Sequence, residues 1–319
     1  MNVFYKYYSS KLNILEYLNN PNIKLSTAKS FNDPFEESLP NKIIKDLVKS
    51  VSNASYLKDS SPYTTKRLHA LYKNVTTEHG IVSLTENHRN LLMWAHYADS
   101  HKGFCIGYKE NFLKNAILYE DASPKKVTYD KKRLDPLKFD KDDTPFDIIM
   151  KTLTTKSDEW IYEKEHRCIV PISAADSFEF YGDESSPIYK TIQNQIKHGI
   201  ITRIDNKRYE FAKIDRDDFF FGPMDRSSNK ISSSELISMY KKIKEEDIDS
   251  IFLGCRVSVK TIEEVKNKIA SNPDRLGHIK VYRYVTNKDN FELDLKSVIN
   301  GRLDFDHEAL TKRLDMQHR

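Results

Sequence analysis

The sequence predicts an α+β fold with a single core, in which helices flank a largely antiparallel sheet of short strands and further helices are inserted. Short apolar runs typical of strands alternate with helical stretches of uneven length, which favours this class over a doubly wound sheet. The chain has 9 glycines and no GxGxxG or GxxxxGK[ST] motif, which removes the commonest nucleotide-binding loops. With 319 residues, 39% of them hydrophobic and 31% charged, one domain over residues 1–319 is expected.

The N-terminal half begins with an aromatic run at residues 3–8, which predicts the first strand. Leucines at helical spacing follow, and Ser9 or Ser10 could cap that helix. Apolar runs predict further strands at residues 23–26, 80–84 and 103–108, a polar helical stretch from Asn41 to about Tyr72, and a helix at residues 87–98.

The C-terminal half contains a helix predicted at residues 146–153 and a strand that ends near Pro171. Residues 172–249 are polar and mixed, which predicts an insertion with helices that could act as a lid. Strands at residues 251–255 and 279–285, a helix capped by Thr261 and a charged helical tail after Gly301 complete the prediction.

Composition excludes several classes of protein. The formal charge of +4 is small for this length, so a dedicated nucleic-acid protein is not indicated. Cys105, Cys168 and Cys255 lie far apart in apolar runs, which predicts buried free thiols in a reducing compartment. No run approaches ~18 apolar residues, so we expect a cytoplasmic protein without a membrane segment.

The densest polar and aromatic run spans residues 94–108 and is the best candidate for the floor of a site. Trp94 and Tyr97 could line a pocket, and His96 and His101 flank Asp99, which could hold a histidine in one tautomer as a base. The five-residue spacing of the histidines is poor for metal binding, and no metal is expected. His96 and Tyr97 are alternatively core or capping groups.

A second candidate site is formed by Glu163, Glu165 and Arg167, which share one face of a strand at period two. A carboxylate fixed there could orient a ribose hydroxyl, stabilise a developing cation or act as a general base. The alternative is a salt-bridged strand face in which Arg167 pairs with a glutamate and nothing reacts.

Three further positions are candidates with structural alternatives. Asn32 and Asp33 before Pro34 could face a ligand or satisfy their own turn. Lys6 between two tyrosines could donate to a phosphate or protect an edge strand. Ser83 and Thr85 lie where a strand ends, although Thr85 could only cap the next helix.

These blocks together resemble the bacterial domain of unknown function 2971 family. The resemblance is carried by Tyr5-Lys6-Tyr7, Leu25-Ser26, Phe31-Asn32-Asp33-Pro34-Phe35-Glu36, Ser83-Leu84-Thr85, Leu92 to Asp99 with His101-Lys102-Gly103-Phe104, and Trp160-x-x-Glu163-x-Glu165-x-Arg167. It spans residues 4–170 and implies an association with mobile elements and phage defence.

The order of these motifs is also similar to that of ADP-ribosyltransferases. The resemblance implies that Lys6 or Tyr7 positions the nicotinamide ribose, Ser26 with Phe31 walls the nicotinamide, and Glu163 or Glu165 grips the ribose during transfer. The first motif of that family normally carries Arg or His, and here Lys6 is the only cation on the strand.

The sequence therefore leads us to expect an ADP-ribosyltransferase-like enzyme that consumes NAD as a substrate, acting as a toxin in anti-phage defence. The expected catalytic residues are Glu163, Glu165 and His96. The residues expected to bind NAD are Lys6, Tyr7, Ser26, Phe31, Asn32, Trp94, Tyr97 and Arg167. The acceptor would be a protein or a nucleic acid, and a partner protein of a defence system is possible.

Two alternatives stay open. One is a nuclease that uses His96, Asp99, His101 and Glu163 with a divalent ion. The other is a sensor that binds a phage component or a nucleotide without turnover, through the run at residues 94–108 and the insertion at residues 172–249.

Overall fold

The computed structural model describes residues 2–27, 30–37, 62–114, 122–133, 140, 143–212, 231 and 234–300. The chain divides into two compact units. Unit 1 comprises Met1–Pro21, Thr85–Phe112 and Lys244–Arg319, and unit 2 comprises Asn22–Leu84 and Leu113–Ile243. Each unit is described below by itself.

The regular elements are short and are distributed along the whole described chain. The strands are β1 (Val3–Tyr8), β2 (Asn22–Leu25), β3 (His79–Thr85), β4 (Phe104–Lys109), β5 (Lys125–Lys126), β6 (Thr128–Tyr129), β7 (Thr155–Lys156), β8 (Glu165–Pro171), β9 (Ser177–Phe180), β10 (Ile201–Arg203), β11 (Arg208–Phe211), β12 (Ile237–Lys242), β13 (Ile248–Leu253), β14 (Lys280–Thr286) and β15 (Leu293–Ile299). The α-helices are α1 (Ile14–Asn19), α2 (Pro62–Glu78), α3 (Leu91–Tyr97), α4 (Pro145–Leu153), α5 (Pro187–Lys197), α6 (Val259–Ala270) and α7 (Pro273–Leu276).

Unit 1 is built on a sheet in which β15, β14, β13, β4 and β1 are successive neighbours. The β1–β4, β4–β13 and β14–β15 pairs are antiparallel. The β13–β14 pair is parallel, and α6 and α7 supply the crossover that a parallel pair requires. Ile262, Val265 and Ile269 form the buried side of α6, at the helical spacing seen in the sequence.

Three tyrosines form a buried chain of hydroxyl groups in unit 1. The Tyr108 hydroxyl lies 2.7 Å from that of Tyr8 and 2.6 Å from that of Tyr17. Burial raises the pKa of all three phenols, so the chain is neutral over the ordinary pH range. We call Tyr8, Tyr17 and Tyr108 the tyrosine chain.

Unit 2 contains a five-stranded antiparallel sheet in the order β10, β11, β9, β12 and β2. It also contains β3, β8 and β5, which are neighbours in that order, and the short parallel pair β6–β7. Its hydrophobic core joins α2, α4, β3 and β8 through buried residues. These are Tyr72, Val75, Ile81, Ile148, Ile149, Leu153 and Ile169.

The predicted α+β class with largely antiparallel sheets is confirmed. Helix boundaries were less accurate, because side-chain caps decide where a helix starts. Asn13 caps α1 in place of Ser9 or Ser10. Ser258 caps α6 in place of Thr261, whose backbone N–H donates to the Ser258 hydroxyl.

Residues 172–249, predicted as an insertion with helices that could act as a lid, contain more strand than helix in their described part, and their role as an insertion or a lid stays a prediction. Their described part contributes four strands, β9 to β12, together with α5 and short 3-10 turns. The polar alternation of these strands was too short to register as a period. Positions 41–61 and the tail after Gly301, both predicted as helical, lie outside the described residues.

The cysteine prediction is confirmed for Cys105 and Cys168, which are free and buried. Cys255 is also free but only half-buried, because it lies in the turn after β13 rather than within the strand. None of the helices in the described part of the chain is long and apolar enough to cross a membrane.

Candidate functional site

Five charged side chains meet in the interior of unit 2. They are Glu36, Lys156, Glu163, Glu165 and Arg167, and we call them the ion cluster. Their side chains are between 1% and 8% exposed. Three carboxylates face two cations, so the cluster carries a net negative charge when all five groups are ionised.

Arg167 is the centre of the ion cluster. Its Nε lies 2.8 Å from Oε1 of Glu165 and its second terminal nitrogen donates to Oε2 at 3.0 Å, which is a bidentate pair. Its first terminal nitrogen donates to the Leu153 carbonyl at 2.7 Å and lies 2.8 Å from Oε2 of Glu36. The Phe31 ring covers the guanidinium at 4.8 Å, within cation–π range.

Lys156 joins the remaining carboxylates. Its Nζ lies 2.7 Å from Oε2 of Glu163, 3.2 Å from Oε2 of Glu165 and 3.9 Å from Oε1 of Glu36. The Trp160 ring lies 4.7 Å from the same nitrogen. The cation that neutralises Glu163 is therefore Lys156, the last residue of β7.

The carboxylates of the ion cluster have opposite pKa shifts. Burial favours the neutral form of Glu165, but the charges of Arg167 and Lys156 outweigh it and lower the pKa of Glu165 to about 2. For Glu36 burial prevails over Arg167, and the pKa of Glu36 is raised. Glu165 is thus a fixed anion, whereas burial shifts Glu36 towards its neutral form.

Glu36 and Lys156 connect the ion cluster to a cavity of about 280 Å³, which we call the Glu36 cavity. Glu36 lies on the 3-10 helix Pro34–Glu37, and its backbone carbonyl accepts a hydrogen bond of 3.1 Å from the Tyr72 hydroxyl. The hydroxyl-bearing residues Thr152, Thr155 and Ser157 also line the cavity. A carboxylate with a raised pKa at the wall of a cavity is a candidate functional group.

The rim of the Glu36 cavity is mostly cationic. Lys131, Lys132 and Arg133 line it in succession, beside Asp130, and all three cations are exposed. Arg133 donates to the Phe35 carbonyl and lies 5.5 Å from the centre of the Phe35 ring. That ring is 59% exposed, so the rim offers both positive charge and an open aromatic surface.

The prediction that Glu165 and Arg167 share one strand face is confirmed, because both lie on β8 and pair directly. The placement of Glu163 on the same strand is wrong. Glu163 ends a 3-10 helix over Asp158–Glu163, and Lys164 takes a left-handed conformation with φ 45° before β8 begins. Glu163 still belongs to the ion cluster, because its Oε2 lies 2.7 Å from Lys156 Nζ.

Among the other candidates of unit 2, the Ser83 side chain hydrogen-bonds to Glu165, and Asp33 lines the Glu36 cavity. Ser26 exchanges two backbone hydrogen bonds with Ile81, of 3.1 and 2.7 Å. Asn32 is exposed. Asp33 is buried and accepts a hydrogen bond from the Phe35 backbone N–H at 2.9 Å, which is the local turn that the sequence offered as the alternative.

In unit 1, Trp94 and Tyr7 are brought together as core residues. Trp94 is fully buried and its Nε1 donates to the His88 carbonyl at 2.9 Å. Its ring meets that of Tyr7 edge-on at 5.1 Å. His96 is exposed on α3, and Tyr97 and Lys6 are half-buried.

The helix α3 ends in a turn of three consecutive left-handed residues. Asp99, Ser100 and His101 have φ angles of 47°, 52° and 70°. Asp99 accepts a hydrogen bond from the Ser10 hydroxyl, and the His101 ring lies parallel to Trp94 at 6.3 Å. A Cβ at Gly254 would lie 2.2 Å from the His101 carbonyl oxygen, so glycine is required there.

The predicted site residues are divided between the two units. Unit 1 contains Lys6, Tyr7, Trp94, His96 and Tyr97, and unit 2 contains Ser26, Phe31, Asn32, Glu163, Glu165 and Arg167. Their convergence into one site stays a prediction. Within the described ranges, no group of three or more His, Cys, Asp or Glu side chains is placed to hold a metal ion.

Two residues of the ion cluster were missed by sequence reasoning. Glu36 ends a block that the sequence analysis singled out for its Asx-Pro turn, so a signal for it existed. Lys156 had none, since a lysine after a helix is ordinarily a solvated residue.

Comparisons with known proteins are sparse for this chain. No curated protein and no solved structure matches it, and the similarity of motif order to ADP-ribosyltransferases stays a prediction. A family model described as "Protein of unknown function (DUF2971)" matches residues 93–168. The match includes Trp94, His96, Lys156 and the strand residues Glu165 and Arg167. Over residues 93–168 the chain is therefore similar to the DUF2971 family, which agrees with the resemblance expected from the motifs in that part of the sequence.

Proposed function

We propose that the chain is an ADP-ribosyltransferase-like enzyme that consumes NAD, and that its reaction takes place in the Glu36 cavity of unit 2. The observation that carries the proposal is a buried ion cluster of which two members, Lys156 and Glu36 with its raised pKa, line a cavity with a cationic rim. The proposal uses unit 2 alone and does not depend on where unit 1 lies.

The charges of the cavity suit a pyridine dinucleotide. Lys131, Lys132 and Arg133 would take the diphosphate, because cations at a rim attract phosphate without being desolvated first. The exposed Phe35 ring gives a flat surface for stacking one of the bases. At about 280 Å³ the cavity is near the lower limit for ligand sites, so it would hold the nicotinamide riboside end while the remainder lies along the rim.

Glu36 would act on the ribose. The C1′–N bond breaks, its electron pair stays on the nicotinamide nitrogen, and the positive charge that develops on the ribose is stabilised by the carboxylate. The acceptor oxygen then bonds to C1′ and releases its proton to Glu36. A raised pKa brings this carboxylate closer to the range in which a general base is efficient.

Glu163 and Glu165 would act as positioning residues through their cations. Glu165 fixes the Arg167 guanidinium that pairs with Glu36, and Glu163 fixes Lys156 at the cavity wall. Phe31 covers the same guanidinium. The predicted importance of both acids is thus kept, with the contact to the substrate assigned to Glu36.

The test is the release of nicotinamide from NAD by the purified full-length chain, with and without protein or nucleic-acid acceptors. We expect Glu36→Gln to lower the rate about 100-fold or more. Glu179→Gln is the matched control, since Glu179 is a partly exposed acid of the five-stranded sheet. No release under any condition, together with unchanged toxicity of Glu36→Gln in cells, would contradict the proposal and its anti-phage setting.

A second candidate is a protein that binds a nucleotide without turning it over. It is favoured by the complete pairing of Glu163 and Glu165 with buried cations, which leaves neither acid at the cavity wall. A shift of the melting temperature with NAD, without nicotinamide release, would favour this candidate.

A further inference from the structure

A second cavity of unit 2, of about 200 Å³, lies where β9 ends and the β10–β11 hairpin turns. Its lining includes three tyrosines, two cations and one acid, which are Tyr181, Tyr189, Tyr209, Arg203, Lys207 and Glu184. We call it the Tyr209 cavity. It shares no lining residue with the Glu36 cavity.

Tyr209 brings an unsatisfied polar atom to this cavity. Its side chain is 0% exposed, and its hydroxyl is buried without a hydrogen-bond partner among the described residues. The ring stacks on Phe178 with centroids 5.0 Å apart and planes 10° apart, which fixes where the hydroxyl lies. A buried unpaired hydroxyl is costly, so a ligand that supplies a partner gains affinity at this position.

Aromatic surface and positive charge adjoin that hydroxyl. Tyr181 is 51% exposed, and Lys207 Nζ lies 5.6 Å from the centre of its ring. Arg203 projects from β10 and is exposed, and its Nε donates to the Asp205 carbonyl at 3.0 Å. Two cations beside an open tyrosine ring are the combination that binds phosphate and a stacked base.

The cavity also contains a hydrogen-bond acceptor, Glu184, and a glycine in its wall, Gly182. The Glu184 carboxylate accepts a hydrogen bond from Tyr189 at 3.1 Å and has acceptor capacity left for an amino group. The wall has no room for a side chain at Gly182, because a Cβ there would lie 2.7 Å from the Phe180 ring. The volume suits one base rather than a larger cofactor.

We infer that the Tyr209 cavity binds a nucleotide, with its base against Tyr181, the polar edge of the base on the Tyr209 hydroxyl, and its phosphate on Lys207 and Arg203. The nucleotide is either free or one unit of a single strand. Both present the same base and phosphate, and the experiment distinguishes them. The inference stands independently of the function proposed for the Glu36 cavity.

The test measures binding of AMP and UMP by calorimetry, and of labelled single strands of about 12 nucleotides by fluorescence anisotropy. Tyr181→Ala should weaken binding about tenfold or more through lost stacking. Phe291→Ala, which removes a fully exposed ring in unit 1, should leave it unchanged. Tighter binding of the strand identifies nucleic acid as the source, and equal binding identifies the free nucleotide.

Tyr209→Phe gives the sharper result, because it removes one oxygen and keeps the ring. We expect binding about five- to tenfold weaker, with a melting temperature of the ligand-free protein that is unchanged or raised. Nucleotide binding that is absent, or equal to that of the parent in both Tyr181→Ala and Tyr209→Phe, overturns the inference. A lowered melting temperature of Tyr209→Phe also overturns it, since the hydroxyl would then have a partner within the protein.

Discussion

The tyrosine chain of unit 1 and the ion cluster of unit 2 bury polar groups in two different ways. The tyrosine chain joins three neutral hydroxyls by short hydrogen bonds, and each group needs only its neighbours. The ion cluster holds five charges, and each charge is acceptable in the interior only while its partners remain. The stability of the first arrangement should therefore not depend on pH, whereas that of the second should depend on pH and on the presence of its central cation.

Loss of the central cation should give the largest effect. Arg167→Met leaves Glu36 and Glu165 buried without their main partner, and we expect the free energy of unfolding at pH 7 to fall by about 3–5 kcal/mol. Urea denaturation measures it. Arg208→Met is the control, because Arg208 forms a half-exposed pair with Glu179 at 3.6 Å, which should contribute less than about 1 kcal/mol. Equal losses of unfolding free energy in the two variants would show that the buried pairs of Arg167 stabilise the protein no more than a half-exposed pair does.

Acid should weaken the ion cluster and spare the tyrosine chain. The pKa of Glu165 is lowered to about 2 in the folded state, below its unfolded value near 4.5. Its stabilisation is therefore complete above about pH 4.5 and is lost as the pH falls towards 2, by at most about 3 kcal/mol.

Denaturation of the parent and of Glu165→Gln from pH 7 down to pH 3 checks this. The difference in unfolding free energy between the two proteins should shrink as the pH falls. A constant difference across this range would contradict the assigned pKa of Glu165.

Removal of the central hydroxyl of the tyrosine chain should have a smaller effect that does not vary with pH. Tyr108→Phe leaves both Tyr8 and Tyr17 without their shared partner, and we expect a loss of about 1–3 kcal/mol. Tyr8→Phe removes only an end of the chain and should cost less. The comparison is made by thermal unfolding at pH 5 and pH 8, and a loss that differs between them would mean that the chain is charged.

Glu36→Gln should have the smallest effect on stability. Burial raises the pKa of Glu36, so the charged form of Glu36 is less favourable in the folded than in the unfolded protein, and an uncharged amide of similar shape avoids that cost. We expect the free energy of unfolding at pH 7 to stay within about 1 kcal/mol of the parent. A loss as large as that of Arg167→Met would show that the charge of Glu36 is required.

The difference between the two regions also explains what the sequence could predict. Glu165 and Arg167 are two residues apart, and a strand places such residues on one face whatever the rest of the chain does. Helix α4 was predicted at residues 146–153 and spans Pro145–Leu153, since its apolar period and Thr144 cap are local features. Pairing within one element is thus readable from a single sequence.

The rest of the candidate site depends on contacts between distant segments. Glu36 and Arg167 are separated by more than a hundred positions, and they meet in an ion pair of 2.8 Å beside the Phe31 ring that covers the guanidinium. Glu163 entered the cluster through Lys156 rather than through the strand, because a single left-handed residue at Lys164 redirects the chain. Neither event leaves a periodic signal in the sequence.

The three left-handed residues that end α3 have a consequence for this family segment. An L-residue in that conformation is disfavoured by on the order of 1–2 kcal/mol, and glycine would avoid this at each position. Asp99 instead accepts a hydrogen bond from Ser10, and the His101 ring lies parallel to that of Trp94. The His101 carbonyl packs closely against Gly254 and accepts a hydrogen bond from the Arg256 backbone N–H. Without these two contacts, the three residues could adopt right-handed helical backbone. Helix α3 would then extend beyond Tyr97, and the chain would no longer turn towards β4.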